Sequence, residues 1–284
     1  MNEAFDPAKM EELTLDGKLN TDEELIRAQV AENIRRGLPQ VRPYRPNEHT
    51  AILVAGGPSL DATEHELVEA YWRGGKIVTV NGAYDWCISR NIRPSMQVVL
   101  DAREFCTRFV KTPVENCQYL LASQVHPQAF EICRGRQVTI WHCVSTGDDE
   151  FEMLKKFYFG RVHPVDIGTT VAIRAISMLR MLGFLRIEIF GLDSCVFDVG
   201  RHHAYDQAEN DGEQVVPVWL RIKGRDDLAQ RFHCTNWQCK QGQDFMQLIK
   251  ERGDLLQLKV HGDGLIATIL RLGAEMEVET TIGD

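Results

Sequence analysis

The chain has 284 residues, 44% of them hydrophobic, which is enough for one large domain or two small ones. Its formal net charge of −9 and its pI near 5.5 leave no global positive field, so general binding of duplex nucleic acid is disfavoured. No apolar run approaches the roughly 20 residues of a membrane span, and the acidic start MNEAFDPAKMEELTLDG lacks the form of a signal peptide, so a cytoplasmic protein is expected.

Residues 1–49 read as an N-terminal helical extension and linker. In TDEELIRAQVAENIRRGLPQV, Thr21 is the expected N-cap, and Leu25, Ile26, Val30 and Ile34 recur at helical spacing. Leu38-Pro39 ends the helix, Arg35 and Arg36 read as a solvated face, and RPYRPNEHT links the helix to the main domain. Residues 50–284 read as a Rossmann-like nucleotide-binding domain whose last third forms a lid or a subdomain. TAILVAGG is an apolar run bounded by glycines, as a parallel strand covered on both faces requires. DATEHELVEAYWRGG comes next as a helix, with Asp61 and Glu64 as a capping-box-like start and Gly74-Gly75 as its stop. KIVTVNGAYDW turns from strand to helix, and MQVVLDAR, QYLLASQV and QVTIWHCV are further strands. TTVAIRAISMLRMLGF is the clearest helix, RIEIFGLDS the clearest strand after it. This alternation specifies a doubly wound, mostly parallel α/β sheet, whose ligands sit beyond the carboxyl ends of its strands. Downstream, AENDGEQVVPVWLRIKGRDD reads as a hairpin and TNWQCKQGQDFMQLIKERGD as a helix capped by Thr235 or Asn236 and closed by Gly253. LLQLKVHGDGLIATIL reads as a late strand ending in a Gly-rich turn.

The informative polar residues fall at strand ends. Gly56, Gly57, Pro58 and Ser59 come after the first strand of the domain; glycines admit a close anion and a helix start offers free amides. The same residues would also serve an ordinary tight turn. Asn81-Gly82 comes after the second strand. Asp101 ends the third, where a carboxylate needs a metal, water or a cation, and Arg103 offers a plain ion pair. Asp193 ends IEIFGLD in an equivalent place, so the two aspartates are candidate ligands for Mg²⁺ shared with phosphate oxygens. Gly168, Thr169 and Thr170 precede the apolar helix, either as phosphate or ribose donors or as a cap alone. GRHHAYDQAEND brings His202, His203, Tyr205, Asp206, Glu209 and Asn210 close behind Asp193, and a His there would act as general base. HGDGL, with His261 and Asp263, reads as a tight turn or at most a ligand contact. The eight cysteines form no CxxC pair and read as reduced, buried hydrophobes; Cys234 and Cys239 with His233 lack the second pair of a zinc site.

Taken together, AGGPSL (55–60), VNGAYDW (80–86), VVLDAR (98–103), GTTVAIRAISMLRMLGFLRIEIFGLDS (168–194) and HAY (203–205) resemble the 6-hydroxymethylpterin diphosphokinase MptE-like family. That family also includes domains of flagellin motility-associated factors. HAYDQAEND and VHGDGL are similar to a subgroup met in phages and prophages. The resemblance implies a Rossmann-like domain and Mg²⁺-dependent pyrophosphate transfer from ATP to a hydroxyl acceptor. Carried onto this chain, it implies that Gly57, Pro58 and Ser59 hold phosphates, Asn81 the nucleotide, and Asp101 and Asp193 the metal or ribose. Bacterial sialyltransferases that use CMP-sugars are also similar: they have a Gly-Pro-Ser-Leu turn, an Asn after the second strand, and a base where His203 lies. Those enzymes need no metal and carry Asn where Asp101 stands, which favours the metal-dependent reading. The expected ligands are therefore Mg²⁺, a nucleoside triphosphate or nucleotide-sugar, and an unidentified acceptor. No membrane partner is implied, a homo-oligomer is compatible, and a non-catalytic nucleotide-binding module is the third reading.

Overall fold

A computed structural model describes residues 10–12, 20–197, 202–206, 212–222, 224–273 and 275–279. A short strand β1 (Met10–Glu12) precedes helix α1 (Glu23–Ile34). Five strands then alternate with helices: β2 (Asn47–Val54), α2 (Ser59–Ala62), α3 (Glu64–Trp72), β3 (Lys76–Val80), α4 (Ala83–Ser89), β4 (Met96–Val99), β5 (Gln118–Ala122), α5 (Pro127–Ile132) and β6 (Gln137–Trp141). A 3₁₀ helix, Glu104–Val110, lies between β4 and β5. Two helices, α6 (Asp148–Phe157) and α7 (Val171–Met181), lead back to β7 (Phe184–Phe190). The last third holds β8 (Val215–Ile222), β9 (Arg225–Thr235), α8 (Asn236–Arg252), β10 (Gln257–Val260), α9 (Leu265–Leu272) and β11 (Glu275–Glu279).

Seven strands form one parallel sheet in the order β10-β7-β2-β3-β4-β5-β6. The chain winds outward from β2 to β6 and then crosses back to place β7 on the other side of β2. The winding therefore reverses between β2 and β7, and their carboxyl ends flank the crevice where such sheets bind ligands. Along β2 the apolar residues alternate between two separate cores, Ala51 and Leu53 facing one and Ile52 and Val54 the other. Two-sided burial explains why this strand reads as a continuous apolar run.

Several expectations change in the three-dimensional structure. Asp22, not Thr21, caps α1, its carboxylate accepting from the amides of Glu24 (2.9 Å) and Leu25 (3.1 Å). The predicted apolar face is shifted as well: Leu25 is 48% exposed, while Gln29 and Asn33 join Ile26, Val30 and Ile34 in the buried face. Asn33 donates to the carbonyls of Ser123 (2.9 Å) and Val125 (2.7 Å), and Gln29 to that of Ala102 (3.2 Å). The helix thus lies over the loops that leave β4 and β5. Arg36 pairs with Glu131 and lies over Phe130 rather than facing solvent. The predicted helix after the glycine turn is broken at Thr63 into α2 and α3. The late strand ends at its Gly-rich turn as read, being β10 (Gln257–Val260), and beyond His261–Gly264 the segment LIATIL is helix α9. The last third is a β8–β9 hairpin, as read, joined to β11 and β1 in a four-stranded antiparallel sheet, while β10 is added to the main sheet. Among the described residues, no helix is long and apolar enough to cross a membrane, and all eight cysteines are buried.

Candidate functional site

The Gly56–Ser59 turn and Asp193 leave adjacent strands, β2 and β7, and meet at the switch point. The Gly57 amide donates to the Gly191 carbonyl (2.7 Å), and the Ser59 amide donates to Asp193 Oδ2 (2.9 Å). Two of the amides expected to hold phosphate are therefore already engaged, one by the carboxylate itself. Glycine is required at 57 by this approach, since a Cβ there would collide with Asp193 Oδ2 and with the Gly191 carbonyl. Asp193 is 3% exposed. Burial pushes its carboxyl up, bonds from the Ser59 hydroxyl and amide oppose this, and the nearby Asp263 charge adds to it.

Residues 202–206 lie across the same turn. The Ala204 amide donates to the Gly56 carbonyl (2.9 Å), and Tyr205 and His203 occupy the space that a Cβ at Gly56 would need. The Tyr205 ring also covers Gly82, which brings Asn81 and the end of β3 into the site. His203 sits 5.7 Å from Tyr205 and 6.3 Å from Trp237, its ring within 25° of parallel to the indole, and Trp237 Nε1 donates to Glu213. Burial pushes the Tyr205 phenol up, and the charges of Arg108 and Asp85 reach it. Glu209 and Asn210 lie outside the described residues. His261 is held by Glu188 (3.1 Å) and stacked on Phe190, which accounts for it structurally.

Asp101 is not brought to this place. Its carboxylate is held by Arg103, with Nε at 3.0 and 3.1 Å and Nη2 at 2.6 Å. Asp101 lies just past β4 and Asp193 just past β7, with β2 and β3 between, so three strand spacings of about 4.8 Å put them roughly 14 Å apart. Mg²⁺ holds its ligands at about 2.1 Å, so these two carboxylates do not fit a shared ion. Among the described residues, no group of three or more His, Cys, Asp or Glu side chains is placed to hold a metal.

Gly168, Thr169 and Thr170 do reach the site's neighbourhood, through α8. The Thr169 amide and hydroxyl both donate to Asp244 Oδ2 (2.7 Å each), and Lys240 pairs with the other oxygen of that carboxylate (3.1 Å). Gln241 Nε2 donates to Thr170 Oγ1 (2.6 Å) while Gln241 Oε1 accepts from the Ser194 hydroxyl (2.5 Å). Thr170 sits at the N-cap of α7 without making a side-chain cap bond, so the first amides of that helix keep their donors. The α8 residues escaped sequence reasoning because nothing in TNWQCKQGQD marks which turn of a helix faces a distant loop. Of the two caps offered by the sequence, Thr235 is the one used, and with Gln238 it forms a capping box.

Two further signals gather at the carboxyl edge. Asn81 (φ 47°), Val144 (φ 50°), Ile167 (φ 46°) and Ser194 (φ 52°) all adopt left-handed backbone in the loops that leave β3, β6 and β7 or lead into α7. For β-branched Val144 and Ile167 this is strained, and such strain concentrates at functional sites. Asn81 Oδ1, Ser123 Oγ and both ring nitrogens of His142 are buried there without a hydrogen-bond partner. Burial pushes the His142 imidazole down to about 4, so it is neutral at physiological pH.

Among solved structures, the chain is similar to a mammalian sialyltransferase in complex with Gal-beta-1-3GalNAc-ortho-nitrophenol, at 9% identity. The match covers 85% of this chain and 86% of that one with a TM-score of 0.38, a likeness that says nothing about activity. No curated protein matches the chain. Residues 27–198, well over half of the sequence, match the family described as 6-hydroxymethylpterin diphosphokinase MptE-like. The chain belongs to that family.

Proposed function

We propose that this protein is a transferase that binds a nucleotide at the β2/β7 switch point and moves a group from it to an acceptor hydroxyl. The observation that carries this is a convergence. The Gly56–Ser59 turn, Asn81, Asp193 and the His203–Tyr205 segment meet where the sheet reverses its winding, and Asn81 Oδ1 lacks a partner there. The nucleoside lies over Gly56–Ser59 and Asn81. The phosphates lie toward Gly168–Thr170, because the Gly57 and Ser59 amides are engaged while α7 keeps its N-terminal donors.

Family membership favours pyrophosphate transfer from ATP. The acceptor oxygen attacks the β-phosphorus, a new P–O bond forms, the bridging α–β P–O bond breaks and AMP leaves. His203, beside Gly56, takes the hydroxyl proton, and Asp193 accepts from a hydroxyl of the nucleotide. Mg²⁺ belongs in this reading as the partner of the triphosphate, without Asp101 and Asp193 as joint ligands. The separation of those carboxylates supports a second reading, transfer from a nucleotide-sugar with His203 as base and no metal.

Thermal shift with ATP, CTP and CMP- or UDP-sugars, each with and without Mg²⁺, tests both. ATP stabilisation that needs Mg²⁺, with AMP released in the presence of 6-hydroxymethylpterin, is the expected result. Turnover of a nucleotide-sugar that survives EDTA moves the assignment to the second reading. No shift with any nucleotide overturns both.

A further inference from the structure

The segment matched by the family ends at residue 198, whereas α8 begins at Asn236. The contacts of α8 nevertheless tie together two turns of the site. Gln241 is 5% exposed and uses both ends of its amide, the oxygen on Ser194 and the nitrogen on Thr170. Its neighbour one turn on, Asp244, holds Thr169. A hydroxyl has one proton and two lone pairs. The Thr169 proton is spent on Asp244. Thr170, by contrast, accepts from Gln241 and keeps its proton, at the uncapped start of α7.

We propose that Gln241 is a positioning residue for the nucleotide: by donating to Thr170 Oγ1 it turns the Thr170 hydroxyl outward as a donor to a phosphate oxygen. In this arrangement the Ser194 hydroxyl donates to Gln241 Oε1 and the amide nitrogen faces Thr170. Ser194 itself is held in left-handed backbone next to Asp193, which links the carboxylate end of the site to the helix end. The last third of the chain therefore completes the phosphate side of the site instead of standing apart from it. This inference rests on the nucleotide reading above.

The test is the substitution Gln241→Glu, read by calorimetry with the nucleotide that stabilises the wild type, between pH 5.5 and 8. An ionised Glu accepts from both hydroxyls and turns the Thr170 proton inward. A protonated Glu donates to Thr170 as Gln does. Affinity in Gln241→Glu is expected to fall by roughly tenfold at pH 8, the scale of one hydrogen bond, and to recover toward the wild-type value at pH 5.5. In a Thr170→Val background the same change is expected to cost nothing further, because the donor it reorients is gone. A Gln241→Glu loss that is independent of pH, or that persists in full in the Thr170→Val background, overturns the proposal. So does unaltered affinity at pH 8. Wild-type protein that binds no nucleotide sinks the nucleotide reading and this inference with it; wild-type binding with an insensitive Gln241→Glu sinks the inference alone.

Discussion

Asp193 carries conflicting demands at the scale of a single residue. It is buried against the Ser59 amide, and burial raises its carboxyl above the usual range, so folding favours its protonated form. At neutral pH the ionised carboxylate is a cost to the fold. Replacing it by Asn keeps an oxygen for the Ser59 amide and removes the charge. Asp193→Asn is therefore expected to raise the urea midpoint at pH 7 while abolishing turnover, a trade of stability for activity common at functional sites. Because the folded pKa is the higher one, wild-type stability attributable to this group rises as pH falls through it. The rise levels off below the unfolded value near 4, about where a free Asp titrates. The gap between variant and wild type should close over that range, and a gap that widens as pH falls refutes the assignment. Asp193 was legible as a strand-end carboxylate, as was the glycine turn it contacts. Its separation from Asp101 was not, because strand order decides it and order is not written in the local pattern.

Among the elements, α1 shows how far periodicity reaches. The existence and place of the helix can be read from its apolar spacing, but the face that packs is set by two amides. Gln29 and Asn33 are polar in any sequence pattern; they are buried because loops leaving β4 and β5 present carbonyls that need donors. Removing the Asn33 side chain leaves the Ser123 and Val125 carbonyls without it. Asn33→Ala should accordingly cost about 1–3 kcal/mol by chemical denaturation, whereas Leu25→Ala, on the exposed side, should stay within about 0.5 kcal/mol. A larger cost at Leu25 than at Asn33 would show that α1 packs as the sequence alone suggests. The late strand is equally legible, β10 ending in its Gly-rich turn, but the helix α9 that starts beyond the turn is not, because a short apolar run such as LIATIL does not distinguish a buried strand from a buried helix.

For the whole molecule, the alternation of strands and helices predicts the doubly wound sheet, and the reversal between β2 and β7 then gives the switch point a location. The last third resists sequence reasoning because it divides: β8, β9 and β11 form an antiparallel sheet with β1, while β10 extends the main sheet beyond β7. Val218, Leu220, Phe245, Leu248, Leu265, Ile266 and Ile269 belong to the same continuous core as Leu53, Ile187 and Ile189. The residues matched by the family, which end at 198, therefore lack part of the core that closes around them. A chain cut after residue 198 leaves β7 as an unpaired edge, strips α8 from α7, and exposes apolar side chains that the intact protein buries. It should express mainly as aggregate. Any soluble fraction should bind ANS and lose the cooperative unfolding transition expected of a chain whose last third shares a core with the rest. A soluble fragment that melts cooperatively near the full-length midpoint would mean that the last third is an appended module. The contacts of Gln241 and Asp244 with the turn before α7 argue against that outcome, since an appended module has no reason to supply the hydrogen bonds of its neighbour's loops.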